Sequence, residues 1–229
     1  MRKRIALFIG IIVLVAAANI AWVEDVQQAD NNQTQKIDNM KKYGSNGWLF
    51  PKPVLIVGTY DKDGNPDAML CDNGCTWDYT EVVLFLGKQR KTTLNLKETG
   101  EFTIGLPNKE TMAVSDYVGI ISGLRDPDKM KRSGLEPVKA PDVNAPLFTE
   151  FPMTLECRVI EMSDATTPNC YHLIGEIVGV LVDNKYVSAD GLPDIAKMHL
   201  ICHENIHQTY IELGEIAGNA FGEGRKLLK

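Results

Sequence analysis

Residues 53–71 constrain the fold of this chain more than any other segment. They read PVLIVGTY, then DKDGN, then PDAMLC. Two β-rich runs flank a loop with Asp63-Gly64 at its centre, a pair suited to the backbone of a tight turn. The segment therefore predicts an antiparallel hairpin of residues 53–60 and 66–71. Residues 81–86 (EVVLFL) form a short apolar run, the pattern of a buried strand. Residues 91–99 read as one short helix stopped by Gly100, and 101–106 as the next strand. Asn108 is a candidate N-cap for a helix through Tyr117.

Residues 122–150 are rich in Gly, Pro and charge and predict loop, with a helical turn over 127–132. Residues 153–162 alternate, placing Met153, Leu155, Cys157 and Val159 on one face. Residues 171–182 predict a long strand, Asn184-Lys185 a turn, 198–202 a strand, and the last residues a helical segment. Six or seven strands with few helices predict a mostly β chain, an antiparallel barrel with helical insertions.

Upstream of this domain, Arg2-Lys3-Arg4 precedes an apolar stretch over residues 5–18, followed by small residues. That pattern predicts a signal peptide over 1–21, with a mature start near Asn19 or Trp22. An uncleaved membrane anchor is the alternative, because the apolar run extends through Val23. In both cases the remainder is expected to be exported, periplasmic or extracellular. Residues 22–44 are polar and read as a linker. The domain is expected over 45–229. Its contact with a membrane is expected only if the N-terminal segment stays attached.

The net charge is −6, which argues against a nucleic-acid partner, because phosphate neutralisation needs clustered Lys and Arg. Five cysteines (71, 75, 157, 170 and 202) form an odd set. Cys71 and Cys75 would lie about 13 Å apart in a continuous strand, too far to bridge. The intervening Asp72-Asn73-Gly74 is a turn signal, so a local disulfide and two free thiols both stay open.

The order of short motifs is similar to that of the flavin reductase and flavoredoxin family of FMN-binding split barrels. The opening hairpin is followed by K-T-T-L-N at 91–95, resembling the family's K-T-x-x-N at a helix start. Asp116-Tyr117 with Gly119, then Ser122-Gly123, resemble its D-Y-x-G-x-x-S-G, and Asp128-Lys129 its D-K pair. Ala145-Pro146 and F-P-M-T-L-E-C at 151–157 resemble its A-P-x-x-x-x-F-P-x-x-L-E-C strand. The likeness runs from about residue 50 to 225. It implies an FMN-dependent oxidoreductase or electron carrier, a homodimer, non-covalent FMN, a small-molecule or protein redox partner, and NAD(P)H as a candidate electron donor.

Carried onto this sequence, the resemblance implies cofactor contacts at Arg90, Lys91, Thr92 and Asn95, where a cation, hydroxyls and free N–H groups suit a phosphate. It implies further contacts at Asp67, Ala68, Met69, Cys71 and Asn73, and at Lys129 and His172 on the flavin side. No residue is assigned a catalytic role. Two positions depart from the family pattern. Asp67 stands where an Asn is usual, and Asn73 where a Trp is common. A carboxylate there opposes a phosphate or an anionic reduced flavin. These departures keep a second reading open: a non-redox binding module on the same barrel.

One motif competes. His203-Glu204-Asn205-Ile206-His207 spells H-E-x-x-H, which on a helix would put two zinc ligands on one face. A zinc enzyme also needs a third ligand, and strand signals around 198–202 oppose a helix. No metal is expected.

Overall fold

A computed structural model describes residues 27–28 and 39–228. The predicted export segment lies outside the described residues. The chain divides into two compact units, Met1–Gly47 and Trp48–Lys229. In the first, residues 39–47 hold no helix or strand, with a turn or bend at 39, 40 and 45. The second holds every strand among the described residues.

Its strands are β1 (Lys52–Pro53), β2 (Leu55–Tyr60), β3 (Pro66–Cys71), β4 (Gly74–Asp78), β5 (Glu81–Gly87), β6 (Glu101–Leu106), β7 (Pro137–Lys139), β8 (Pro146–Phe148), β9 (Met153–Asp164), β10 (Cys170–Val182), β11 (Ile201–Glu204) and β12 (Thr209–Glu212). The helices are α1 (Lys91–Thr99), α2 (Met112–Ile120), α3 (Lys129–Ser133) and α4 (Ile195–Met198). Seven strands form one sheet in the order β3-β2-β6-β9-β10-β5-β4. A second sheet is β1-β11-β12, and β7-β8 make a separate hairpin. All pairings between strands are antiparallel.

The predicted hairpin is β2–β3. Its loop is held by Asp61, whose Oδ1 accepts from the amides of Asp63 (3.0 Å) and Asn65 (2.9 Å). The carboxylate thus does inside the loop what a third strand would do outside it, satisfying exposed amides locally. The large sheet curls until β3 packs against β5, leaving β4 as an edge. Only Asp72 and Asn73 separate β3 from β4, and Cys71 Sγ lies 3.8 Å from the Phe85 carbonyl oxygen. One apolar core fills the interior, with Leu55 and Val57, Met69 and Cys71, Leu84 and Leu86, Phe102, Ile104, Cys157 and Leu173. Each such buried aliphatic or aromatic side chain contributes about 1.5–3 kcal/mol.

β2 is buried on both faces, which explains its continuous apolar sequence. Leu55 and Val57 point into the barrel, while Val54, Ile56 and Ala68 pack outward against Val118, Leu135, Phe148, Phe151 and Ile201. The structure is therefore a mostly β, antiparallel split barrel with helical insertions, as the sequence predicts.

Local assignments differ, and the described residues hold twelve strands where six or seven are expected. α2 begins at Met112 rather than after Asn108, because Asn108 Oδ1 caps a separate turn, accepting from the Thr111 amide at 3.0 Å. The 122–150 stretch contains the β7–β8 hairpin as well as α3. The strand expected over 198–202 is divided: α4 ends at Met198, His199 turns with φ 53°, and β11 starts at Ile201. The terminal helical segment is a 3-10 stretch, Glu223–Leu227.

Candidate functional site

β5 ends at Gly87 and α1 starts at Lys91, so three residues turn the chain from strand to helix. Arg90 precedes the helix and gives it no side-chain cap. The first-turn N–H groups of α1 thus carry the partial positive charge of an open helix start. Beside them is a cleft of about 710 Å³, with Lys88, Gln89 and Arg90 on one side and Ser122, Leu124 and Arg125 on the other. Lys88 is paired with Asp164 at 2.5 Å and lies 4.9 Å from the Tyr171 ring centroid. Arg90 and Arg125 have no ion-pair partner among the described residues. The Thr93 hydroxyl, in the same first turn, is fully buried without a hydrogen-bond partner there.

A second cavity of about 420 Å³ adjoins, lined by Asp61, Asp67, Lys91, Gly123, Asp126 and Lys129. Consecutive residues divide between the two: Arg90 and Ser122 line the first, Lys91 and Gly123 the second. At its base, Asp67 is 3% and Lys129 3% exposed. Asp67 Oδ1 lies 3.2 Å from Lys129 Nζ, and its Oδ2 accepts from Thr92 Oγ1 at 2.5 Å. Lys129 also donates to the Ala68 carbonyl at 2.5 Å. Burial pulls the Lys129 pKa down, and the Asp67 carboxylate opposes that shift. Gly123 makes room: a Cβ there would stand 2.6 Å from Asp67 Oδ1.

At the rim Lys91 pairs with Asp61 at 2.8 Å. Burial pushes the Asp61 carboxyl up, but hydrogen bonds from Lys91, Asn65 and Asp63 outweigh it and hold the pKa well below the usual range.

The residues assigned from the sequence therefore separate. Arg90 reaches the large cleft; Asp67, Lys91 and Lys129 share the smaller one. Thr92 and Asn95 are 0% and 2% exposed and direct their hydrogen bonds inward, to Asp67 and Thr59. Met69 and Cys71 point into the barrel core, and Ala68 packs on its outer side. His172 pairs with Phe85 across β10 and β5, their ring centroids 5.1 Å apart. Asn73 sits beside them, its carbonyl accepting from the Phe85 amide at 2.8 Å. Phe85, half exposed, gives this outer face a flat aromatic surface. Sequence reasoning missed Arg125, Asp61 and Phe85. Arg125 meets Arg90 only through the fold, and no local motif marks it.

Cys71 is buried and Cys75 exposed, and neither is bridged. Burial raises the Cys71 thiol to about 11. The H-E-x-x-H residues form a strand and turn, not a helix: His203 and Glu204 end β11, and residues 205–208 turn toward β12. Glu204 caps that turn, accepting from the His207 amide at 3.0 Å and from Thr209 Oγ1 at 3.2 Å. Among the described residues no three His, Cys, Asp or Glu side chains gather as a metal site.

The model of the flavin reductase like domain matches residues 47–194. The chain belongs to that family. It is similar to the flavoredoxin of Desulfovibrio vulgaris (Miyazaki F), at 34% identity and a TM-score of 0.76, covering 81% of this chain and 100% of that one. The flavoredoxin of Methanosarcina acetivorans is 26% identical with a TM-score of 0.73, covering 82% of this chain and 100% of the other. An uncharacterized protein of Methanothermobacter thermautotrophicus is 27% identical over 155 residues, 65% of this chain and 72% of that protein. Membership makes this flavin reductase-like protein a flavin-related oxidoreductase.

Proposed function

We propose that this protein binds FMN non-covalently in the cleft at the start of α1 and acts as an FMN-dependent oxidoreductase or electron carrier. One observation carries the reading: two guanidiniums without ion-pair partners among the described residues, Arg90 and Arg125, line one cleft at an uncapped helix start. Phosphate suits such a place because backbone N–H groups, helix dipole and bidentate Arg donors all favour an anion. A volume of about 710 Å³ suits a cofactor-sized ligand. Arg90, Arg125 and the first-turn amides would hold the phosphate; Phe85, Asn73 and His172 would border the ring.

When bound, the flavin supplies the electron transfer between a reduced donor and an acceptor. The chain's residues supply placement and charge. Asp67 already neutralises Lys129, so the positive charge offered to a reduced flavin is smaller than Lys129 alone would give. NAD(P)H is the proposed donor. Titration of purified protein with FMN, read by quenching of flavin fluorescence, tests the core of the reading. Indifference to micromolar FMN overturns it.

A second reading, a non-redox binding module, draws on the same sealed Asp67–Lys129–Thr92 knot. If Asp67→Asn creates FMN affinity that the parent lacks, this second reading gains; tight binding by the parent removes it.

The exported location rests on the sequence of residues 1–21, and N-terminal sequencing of the secreted or periplasmic fraction tests it. A signal-driven chain usually crosses unfolded, so FMN would then be taken up outside the cytoplasm. Homodimer formation is supported by the exposed Trp77 and Tyr79 at the edge strand β4. Light scattering on a sizing column reads the mass.

A further inference from the structure

The small sheet β1-β11-β12 has no counterpart in the large barrel, and β11 and β12 lie beyond residue 194, where the family match ends. Its central row is unusual in composition. Lys52 on β1 is the register partner of His203 on β11, and His203 is the register partner of Tyr210 on β12. Directly opposed residues of neighbouring strands share a face. An ammonium, an imidazole and a phenol therefore stand side by side, with the His203 and Tyr210 rings 5.9 Å apart.

Each prong holds a carboxylate from elsewhere in the chain. Lys52 Nζ lies 2.5 Å and His203 Nδ1 2.8 Å from the same oxygen, Asp72 Oδ2. The Tyr210 hydroxyl donates to Asp116 Oδ1 at 2.8 Å. Lys52, His203 and Asp72 are only about a fifth exposed, at side-chain values of 21%, 17% and 22%. Burial pushes Asp72 up, yet the hydrogen bonds from Lys52 and His203 bring its pKa below the ordinary value. Burial and the Asp116 hydrogen bond push Tyr210 well up, so the phenol stays a donor across the working pH range.

The two carboxylates lead to two different segments: Asp72 to the turn beside the proposed ring position, and Asp116 through α2 to the 122–125 wall of the cleft. Asp72 begins the turn whose next residue, Asn73, receives the Phe85 amide beside His172. Asp116 sits on α2, which ends at Ile120 and runs into residues 122–125, the wall carrying Arg125. The C-terminal hairpin thus holds both segments at once, through Asp72 and Asp116, and none of its own residues lines the cleft.

We propose that Lys52, His203 and Tyr210 form a two-pronged clamp whose prongs separately position the Asp72-Asn73 turn and the α2–122–125 wall of the ligand site. They are positioning residues, acting through Asp72 and Asp116. The clamp also accounts for His203 of the H-E-x-x-H string without a metal. Its consequence for FMN rests on the function proposed above; the clamp itself does not.

The test has two arms. In ligand-free protein, amide hydrogen exchange is read at Phe85, bonded to the Asn73 carbonyl, and at Arg125 and Asp126, both bonded to the Ser122 carbonyl. His203→Ala should speed exchange at Phe85 roughly five-fold or more, leaving Arg125 and Asp126 unchanged. Tyr210→Phe should do the reverse. His203→Gln serves if the alanine variant does not fold. Exchange raised evenly over the barrel, or unchanged at all three amides, overturns the clamp.

In the second arm, Tyr210→Phe should weaken FMN roughly five-fold with the bound-flavin spectrum unaltered. His203→Gln should shift the visible spectrum of the bound ring. Altered exchange with neither affinity nor spectrum changed overturns the link to the site. Wild-type protein that ignores FMN overturns the proposed function, while the exchange arm still decides the clamp.

Discussion

Asp67→Asn leaves a buried ammonium without its counter-charge. In the wild type, Lys129 Nζ is 3.2 Å from Asp67 Oδ1 and both side chains are almost sealed, 3% and 4% exposed. An amide still accepts one hydrogen bond, and the bond from Lys129 to the Ala68 carbonyl remains. Removing one member of a buried ion pair costs about 3–5 kcal/mol, and the surviving hydrogen bonds place this case near ~3 kcal/mol. For a domain of this size, that lowers the melting temperature by about 6–12 °C.

The pH dependence has a definite sign. Burial already holds the Lys129 pKa below its ordinary value, and Asp67 supports it from below. Without Asp67 the folded-state pKa falls further, while the unfolded value is unchanged. Between the two values the unfolded chain binds more protons, so stability rises with pH as it passes through the folded pKa. The variant's deficit should therefore shrink as pH rises toward the ordinary lysine value of 10.5, beyond any change in the wild type. Thermal melts across that range, followed by circular dichroism, read both effects. A drop below about 2 °C, or a deficit independent of pH, would refute a charged, coupled pair at this position.

Arg90→Ala and Arg125→Ala should each weaken FMN binding by roughly 10- to 150-fold, the loss of one charge-assisted hydrogen bond, measured by fluorescence titration. Gly123→Ala should destabilise the fold by about 1–3 kcal/mol in urea unfolding, since the new Cβ would stand 2.6 Å from Asp67 Oδ1. In thiol labelling at neutral pH, Cys75 should react in the folded protein. Cys71 and Cys157, whose thiols burial raises to about 11 and about 12, should react only after unfolding.

Much of the fold is legible because short-range chemistry decides it. The β2–β3 hairpin follows from its turn residues, and α1 ends at Gly100 because that residue takes φ 70° and its amide closes on the Leu96 carbonyl at 2.9 Å. Cys157 faces the core as its alternation predicts. The same strand also hides Glu156, 1% exposed on the opposite face, where its Oε1 accepts from the Asp142 amide at 2.7 Å. Alternation cannot announce a buried carboxylate whose partner lies in another loop.

The site divides along the same line. The sequence places Arg90, Lys91, Thr92 and Asn95 together at a helix start, because consecutive residues are neighbours whatever the fold does. It determines the hairpin, the succession of strands along the chain and the run of motifs for the same reason. Which of those side chains face the cleft is a tertiary matter: Arg90 does, and Thr92 and Asn95 turn inward to Asp67 and Thr59. Only the closed barrel brings Asp67 to Lys129, 62 residues away. Only the packing of the C-terminal hairpin brings His203 to Asp72, 131 residues away. Contacts over such distances follow from which sheets bury against which helices, and no local propensity encodes that choice.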